Sequence, residues 1–270
     1  MIYKKNPLDP ENEKVFLECF IPEKLNNFTR KAILITPGGG YGCVCADREG
    51  EPIAMAFMAQ GFNAFVLHYS VKDNSKKIFP TQLIEASKAM KYIRDNAEEF
   101  GHAKNKVYAT GFSAGGHLCA SLGILWNIPE VYEAIDMPYG YNKPDGIMPI
   151  YPVINGNCGT LRNLWGTDSL TEEQLERVEL DRHVTTESSP AFIMHTSNDK
   201  VVPVSNALDL ARAYAEAGMM FELHIYPDAP HGAALGNAIT MMDVPKWNDA
   251  AIAKWVENAV YWTDKISINI

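Results

Sequence analysis

Residues 109–123 read ATGFSAGGHLCASLG, and the fold turns on what surrounds Ser113 in that run. Gly111, Ser113 and Gly115 fit the pattern G-x-S-x-G. The pattern has chemical content only where a strand ends and a helix begins, because a sharp turn between them exposes the serine hydroxyl above the sheet. Upstream, KVYATGFS (106–113) reads as a strand; downstream, AGGHLCASLGILW (114–126) reads as a helix. The turn needs small neighbours, and Gly111, Ala114, Gly115 and Gly116 supply them. The helix would aim its free N–H groups and positive dipole end at the turn, favouring negative charge there. The competing reading is a glycine-rich loop that merely lets strand and helix pack closely. The strand–turn–helix context favours a nucleophile.

Working outward, short apolar runs alternate with longer amphipathic ones. KAILITP (31–37), FNAFVLHYSV (62–71), GIMPIYPVI (146–154), AFIMHTS (191–197) and FELHIYP (221–227) read as strands. EPIAMAFMAQG (51–61), PTQLIEASKAMKYIRDNAEEFG (80–101), SNALDLARAYAEAG (205–218) and NDAAIAKWVENAVYWTDK (248–265) read as helices. In the second of these, Leu83, Ala86, Met90, Ile93 and Ala97 share one face of a 3.6-residue period. Strands alternating with helices imply right-handed crossovers and a mostly parallel sheet covered on both faces. Residues 1–30 are expected to add an antiparallel edge hairpin. Residues 155–189, with the acidic stretch SLTEEQLERVELD, break the rhythm and suggest a small inserted cap within a single α/β domain spanning 1–270.

Composition narrows the function classes. The 270 residues are 47% hydrophobic and 21% charged, the balance of a globular protein with ample core. Acidic residues outnumber basic ones, 33 to 24, for a net charge of −9, which repels phosphate backbones and argues against nucleic acid. No run approaches the roughly 18 apolar residues of a membrane span. The start, MIYKKNPLDPENEKVF, lacks the apolar stretch of a secretory signal, so a cytoplasmic location is expected. The cysteines, 19, 43, 45, 119 and 158, are odd in number and carry no metal-ligand or disulfide-framework spacing, so free thiols and no metal are expected.

A serine hydroxyl needs a base. Of the seven histidines, His68, His195 and His224 fall inside strands, His117 lies one turn into the helix after Ser113, and His102 and His183 read as surface-loop residues. His231, in YPDAPHGAAL, follows a strand end in a loop, where an open α/β sheet assembles its site. The base needs a carboxylate to orient it. Asp199, in SNDKVVPV just after a strand, is the candidate, with Asp228 as the alternative. The chain order Ser113, Asp199, His231 is that of an α/β-hydrolase triad. In ITPGGGYG (35–42), Gly39 and Gly40 would offer backbone N–H groups to an oxyanion, joined by the N–H of Ala114. A phosphate-cradling loop is the rival, but 38–45 satisfies neither G-x-G-x-x-G nor a G-K-[ST] ending.

The segments PGGGY, GFSAGGHL, SPAFIMHTSNDKVVPV and ELHIYPDAPHG together resemble the α/β-hydrolase superfamily from about residue 30 onward. More closely, they look like the bacterial esterase/lipase group that includes acetyl-xylan-esterase-like and sugar-acetate hydrolases. That group is similar to the hormone-sensitive-lipase branch, whose oxyanion loop is usually H-G-G-G; here Pro37 stands where the histidine would be, and Pro230 precedes His231. The resemblance implies a serine carboxylesterase acting on short-chain, acetyl esters, including those of sugars or xylo-oligosaccharides, without metal or organic cofactor. An amide-cleaving relative (a peptidase or arylformamidase) and a non-catalytic hydrolase-fold binding module remain the alternatives. Candidate pocket residues are Tyr41, Tyr69, Pro152, Val153, Trp165, Val201 and Val202, each of which could equally be packing. The expected partner is a small-molecule ester, and a homo-oligomer is left open.

Overall fold

In the computed structural model, residues 1–72, 78–156 and 159–267 are described. The chain runs β1 (Ile2–Pro7), β2 (Phe16–Ile21), β3 (Arg30–Thr36), α1 (Ala46–Glu49), α2 (Glu51–Ala59), β4 (Phe62–His68), α3 (Thr81–Asp95), α4 (Ala97–Phe100) and β5 (His102–Phe112). It continues α5 (Ala114–Ile124), α6 (Pro129–Ala134), β6 (Ile147–Ile150), α7 (Thr160–Trp165), α8 (Glu172–Glu176), β7 (Ala191–Thr196), α9 (Ser205–Glu216), β8 (Phe221–Tyr226) and α10 (Trp255–Ile266). These strands form one sheet in the order β1-β2-β4-β3-β5-β6-β7-β8. β1 pairs antiparallel with β2, and β2 antiparallel with β4, so the first residues do build an edge hairpin. All other neighbours are parallel.

Strand alternation divides the core into two layers. Ala32 and Leu34 of β3 face one side, with Leu83, Met90 and Ile93 of α3, Leu118 of α5 and Leu210 of α9. Ile33 and Ile35 face the other, with Ile53 and Phe57 of α2 and Trp255 and Trp262 of α10. A parallel sheet covered on both faces places its strand ends, and the loops on them, at one rim.

Several elements depart from the sequence reading, three of them as follows. The helix expected over 80–101 divides at Asn96, whose side chain donates to the Tyr92 carbonyl at 2.7 Å and competes with the helical ladder. The strand expected over 146–154 stops at Ile150 because Tyr151 turns to φ 36°. The helix expected from 248 begins as a 3₁₀ turn, Ile252–Lys254, before α10. Cys158, in the segment between β6 and β7, lies outside the described residues.

Candidate active site

Ser113 stands between the last residue of β5 and the first of α5, with φ 54° and ψ −117°. This left-handed conformation in a non-glycine residue is strained and is held by its surroundings. The Ser113 N–H donates to the Ile150 carbonyl at 3.1 Å, and its own carbonyl accepts from Val153 at 3.1 Å and His117 at 3.0 Å. Glycine is obligatory beside it for want of space. A Cβ on Gly111 would lie 2.1 Å from the Gly115 carbonyl oxygen, and one on Gly115 would lie 2.0 Å from that of Thr36.

Three loops at the strand ends bring the polar side chains together. His231 Nε2 lies 2.8 Å from Ser113 Oγ, and its Nδ1 lies 2.6 Å from Asp199 Oδ2. A carboxylate only accepts, so Nδ1 carries the proton and Nε2 presents its lone pair to the serine hydroxyl. The other Asp199 oxygen accepts from the N–H groups of Val201 at 2.8 Å and Val202 at 3.0 Å. Burial of Asp199 opposes its charge, but the hydrogen bond and charge of His231 and the two N–H donors outweigh it and hold its carboxyl below the ordinary value. Asp228, the alternative partner, is exposed and pairs with Asn198 and Lys246, away from the histidine ring.

The glycine-rich loop leaves β3 directly opposite. Gly39 and Gly40 take φ 126° and 63°, in the region that favours glycine. Among the described residues, the N–H groups of Gly39, Gly40 and Ala114 donate to no protein acceptor. Gly38 is different: its N–H donates to Glu49 Oε2 at 2.7 Å and its carbonyl accepts from Cys45 at 3.0 Å. The loop is braced from below. Tyr69 donates to the Pro37 carbonyl at 2.6 Å. His117 Nε2 donates to the Val178 carbonyl at 2.9 Å, which leaves Nδ1 to accept from the Tyr41 hydroxyl at 2.9 Å. Burial lowers the pKa of His117 to about 4.

Of the residues read as pocket candidates, Tyr41, Tyr69, Pro152, Val153 and Val202 are buried, and Trp165 packs at 5.5 Å from the Phe79 ring. Val201 is 63% exposed. A cleft of about 440 Å³ is lined by Glu13, Lys14, Phe16, Cys43, Val44, His68 and Val71. From the 155–189 segment, Asn163 donates to the Gly40 carbonyl at 2.9 Å. His102 departs from its surface-loop reading; it opens β5, is buried, and donates through Nε2 to the Ile93 carbonyl at 3.1 Å. Among the described residues, Cys19, Cys43, Cys45 and Cys119 are free thiols, and no group of three metal-ligating side chains occurs.

Two site residues escaped the sequence reading. Glu49 ends the short α1 and is 1% exposed; Tyr151 follows β6 and presses its ring against His231 with centroids 5.0 Å apart. No local pattern marks either. Glu49 sits in ADREGEP, which reads as a solvated charged stretch, and Tyr151 in an apolar run.

The BD-FAE family model matches residues 17–214. The chain belongs to the BD-FAE family. Endo-1,4-beta-xylanase B of Butyrivibrio fibrisolvens is 36% identical over 218 residues, covering 77% of this chain and 33% of that protein. An acetylxylan esterase of Xylanibacter ruminicola is 28% identical over 234 residues, covering 84% of this chain and 45% of that protein. The chain therefore spans less than half the length of these two relatives. Among solved structures, an acetyl ester-xyloside bifunctional hydrolase from Caldicellulosiruptor lactoaceticus superposes with a TM-score of 0.80 at 27% identity, covering 98% of this chain and 96% of that one. An α/β-hydrolase enzyme from a Medee basin deep-sea metagenome library gives 0.79 at 30% identity, with 98% of each chain covered. This BD-FAE family chain has the α/β-hydrolase fold. Among its described residues, no helix is long and apolar enough to cross a membrane.

Proposed function

We propose that this BD-FAE family chain hydrolyses short-chain carboxylic esters through an acyl-enzyme on Ser113. The observation that carries the reading is the unbroken line of hydrogen bonds from Ser113 Oγ through His231 to Asp199, at 2.8 and 2.6 Å. His231 Nε2 takes the hydroxyl proton as Oγ bonds to the ester carbonyl carbon and the carbonyl electron pair moves to oxygen. That oxygen settles against the N–H groups of Gly39, Gly40 and Ala114, where each donor contributes about 3 kcal/mol to stabilising the transition state. Collapse of the intermediate breaks the bond to the alcohol, which leaves with the proton held on His231. Water then attacks the acyl-enzyme, giving its proton to the same nitrogen, and the acid departs with Ser113 restored.

The names of the relatives, an acetylxylan esterase and an acetyl ester-xyloside hydrolase, support an acetyl group on a sugar as the substrate. Asn163, from the segment read as a cap, donates to the Gly40 carbonyl at 2.9 Å, which supports a small cap that reaches the glycine-rich loop. The direct test is acetate release from acetylated xylo-oligosaccharides and from an aryl acetate, with a matched amide alongside. Wild type should release acetate, and Ser113→Ala should lower kcat by about 10⁶-fold. Faster cleavage of the amide than of the ester would overturn the assignment.

A further inference from the structure

The glycine-rich loop and the histidine loop lie on opposite sides of Ser113, yet two neighbouring residues of α1 reach both. Gly38 is wedged between Glu49 and the serine: a Cβ there would meet Glu49 Oε2 at 2.7 Å and Ser113 Cβ at 3.1 Å. The Glu49 carboxylate therefore holds, through one N–H, the loop residue that packs directly on the nucleophile. Its second oxygen accepts from the Tyr151 hydroxyl at 3.0 Å. The same hydroxyl accepts from the Ala234 N–H at 3.0 Å, three residues beyond His231, while the Tyr151 ring abuts the imidazole.

Arg48 makes the parallel connection. Its Nε lies 3.5 Å from Glu49 Oε1, and its guanidinium lies 5.1 Å from the Trp247 ring centre. Trp247 Nε1 in turn donates to the carbonyls of Pro230 and His231, each at 3.1 Å. Burying a carboxylate is costly unless it is paired and hydrogen-bonded. Every partner that stabilises Glu49 also fixes one flank of the site.

We propose that Glu49, with Arg48 and Tyr151, sets the spacing between the oxyanion loop and His231, making Glu49 a positioning residue for the ester hydrolysis on which this inference rests. Its side chain is almost fully buried behind the loop. Loss of its geometry should therefore lower turnover and spare ground-state binding, because the affected contacts strengthen only as the oxyanion forms. A glutamine at 49 cannot accept from both the Gly38 N–H and the Tyr151 hydroxyl, since one of its two terminal atoms is itself a donor.

The test compares wild type, Glu49→Gln, Tyr151→Phe, the double variant and Ser113→Ala on 4-nitrophenyl acetate. The rate at which diethyl 4-nitrophenyl phosphate labels Ser113 gives a second readout of the same oxyanion pocket. Glu49→Gln should lower kcat by about 10- to 100-fold with KM within about threefold, and slow labelling to match. Tyr151→Phe should act in the same direction, and the double variant should lose less than the product of the two. If folded Glu49→Gln keeps wild-type kcat, loses only KM, or combines multiplicatively with Tyr151→Phe, the positioning role is overturned. Should Glu49→Gln not fold, the kcat–KM split and labelling rate of Tyr151→Phe decide alone. Wild type that neither turns over the ester nor is labelled defeats the ester reading, and the positioning role with it.

Discussion

The two oxygens of Asp199 serve different masters: Oδ2 orients the imidazole, while Oδ1 ties the carboxylate to the turn through Val201 and Val202. Asp199→Asn keeps the shape and removes the charge. An amide nitrogen facing Nδ1 would select the wrong imidazole tautomer, so kcat should fall by about 10⁴-fold. Asp228→Asn, on an exposed side chain bonded to Asn198 and Lys246, should leave kcat within about twofold, since surface pairs contribute little. Steady-state kinetics on one aryl acetate would check both, and comparable losses would remove Asp199 from its assigned role. Ser113, Asp199 and His231 could be picked from the sequence because each sits just past a strand that the apolar runs reveal. Glu49 could not, because its chemistry depends on α1 folding back beneath a loop eleven positions earlier in the chain, to Gly38. Asp199 also bears on acid stability. Its carboxyl is held low in the fold, so its contribution is present above the unfolded value and is lost as pH falls through the folded one.

At the scale of elements, the elbow depends on how closely α5 approaches the end of β3. Alanine is favoured over glycine inside a helix by about 1 kcal/mol, so Gly115→Ala has a modest intrinsic gain. Against it stands a Cβ placed 2.0 Å from the Thr36 carbonyl oxygen and 2.3 Å from that of Pro37. Both obstacles are backbone, which cannot swing aside as a side chain would. The clash wins, and the substitution should cost about 3 kcal/mol net and displace the glycine-rich loop. Urea unfolding would measure the first effect and kcat the second; an unchanged midpoint would mean that helix and strand are less tightly joined than these distances require. The elements were legible where the hydrophobic period was sustained, as in the Leu83–Ile93 face of α3. They were not legible where one residue overrides the pattern: Asn96 caps early, and Tyr151 turns out of β6 to reach Met194 and Glu49.

For the whole molecule, strand–helix alternation makes a parallel sheet legible, but not that β2 docks antiparallel on β4, since that choice belongs to contacts between distant segments. The same long-range packing encloses His102, His117 and His195, which are all buried. Burial lowers each pKa from 6.5 to about 4. The sign follows from linkage: below pH 6.5 the unfolded chain binds protons that the folded chain refuses, so stability falls on acidification until the folded value is reached. Each histidine so held costs about 2 kcal/mol by pH 5, against a net stability of about 5–15 kcal/mol for a typical domain. Glu49 and Asp181, whose carboxyls are raised chiefly by burial, act in the opposite direction and soften the fall. His117→Gln isolates one share, because glutamine has both a donor for the Val178 carbonyl and an acceptor for the Tyr41 hydroxyl. Between pH 7 and pH 5, wild type should lose about 2 kcal/mol more unfolding free energy than the variant. If the two lose stability in parallel, His117 titrates alike in both states, and the latch between Tyr41 and Val178 does not hold it neutral.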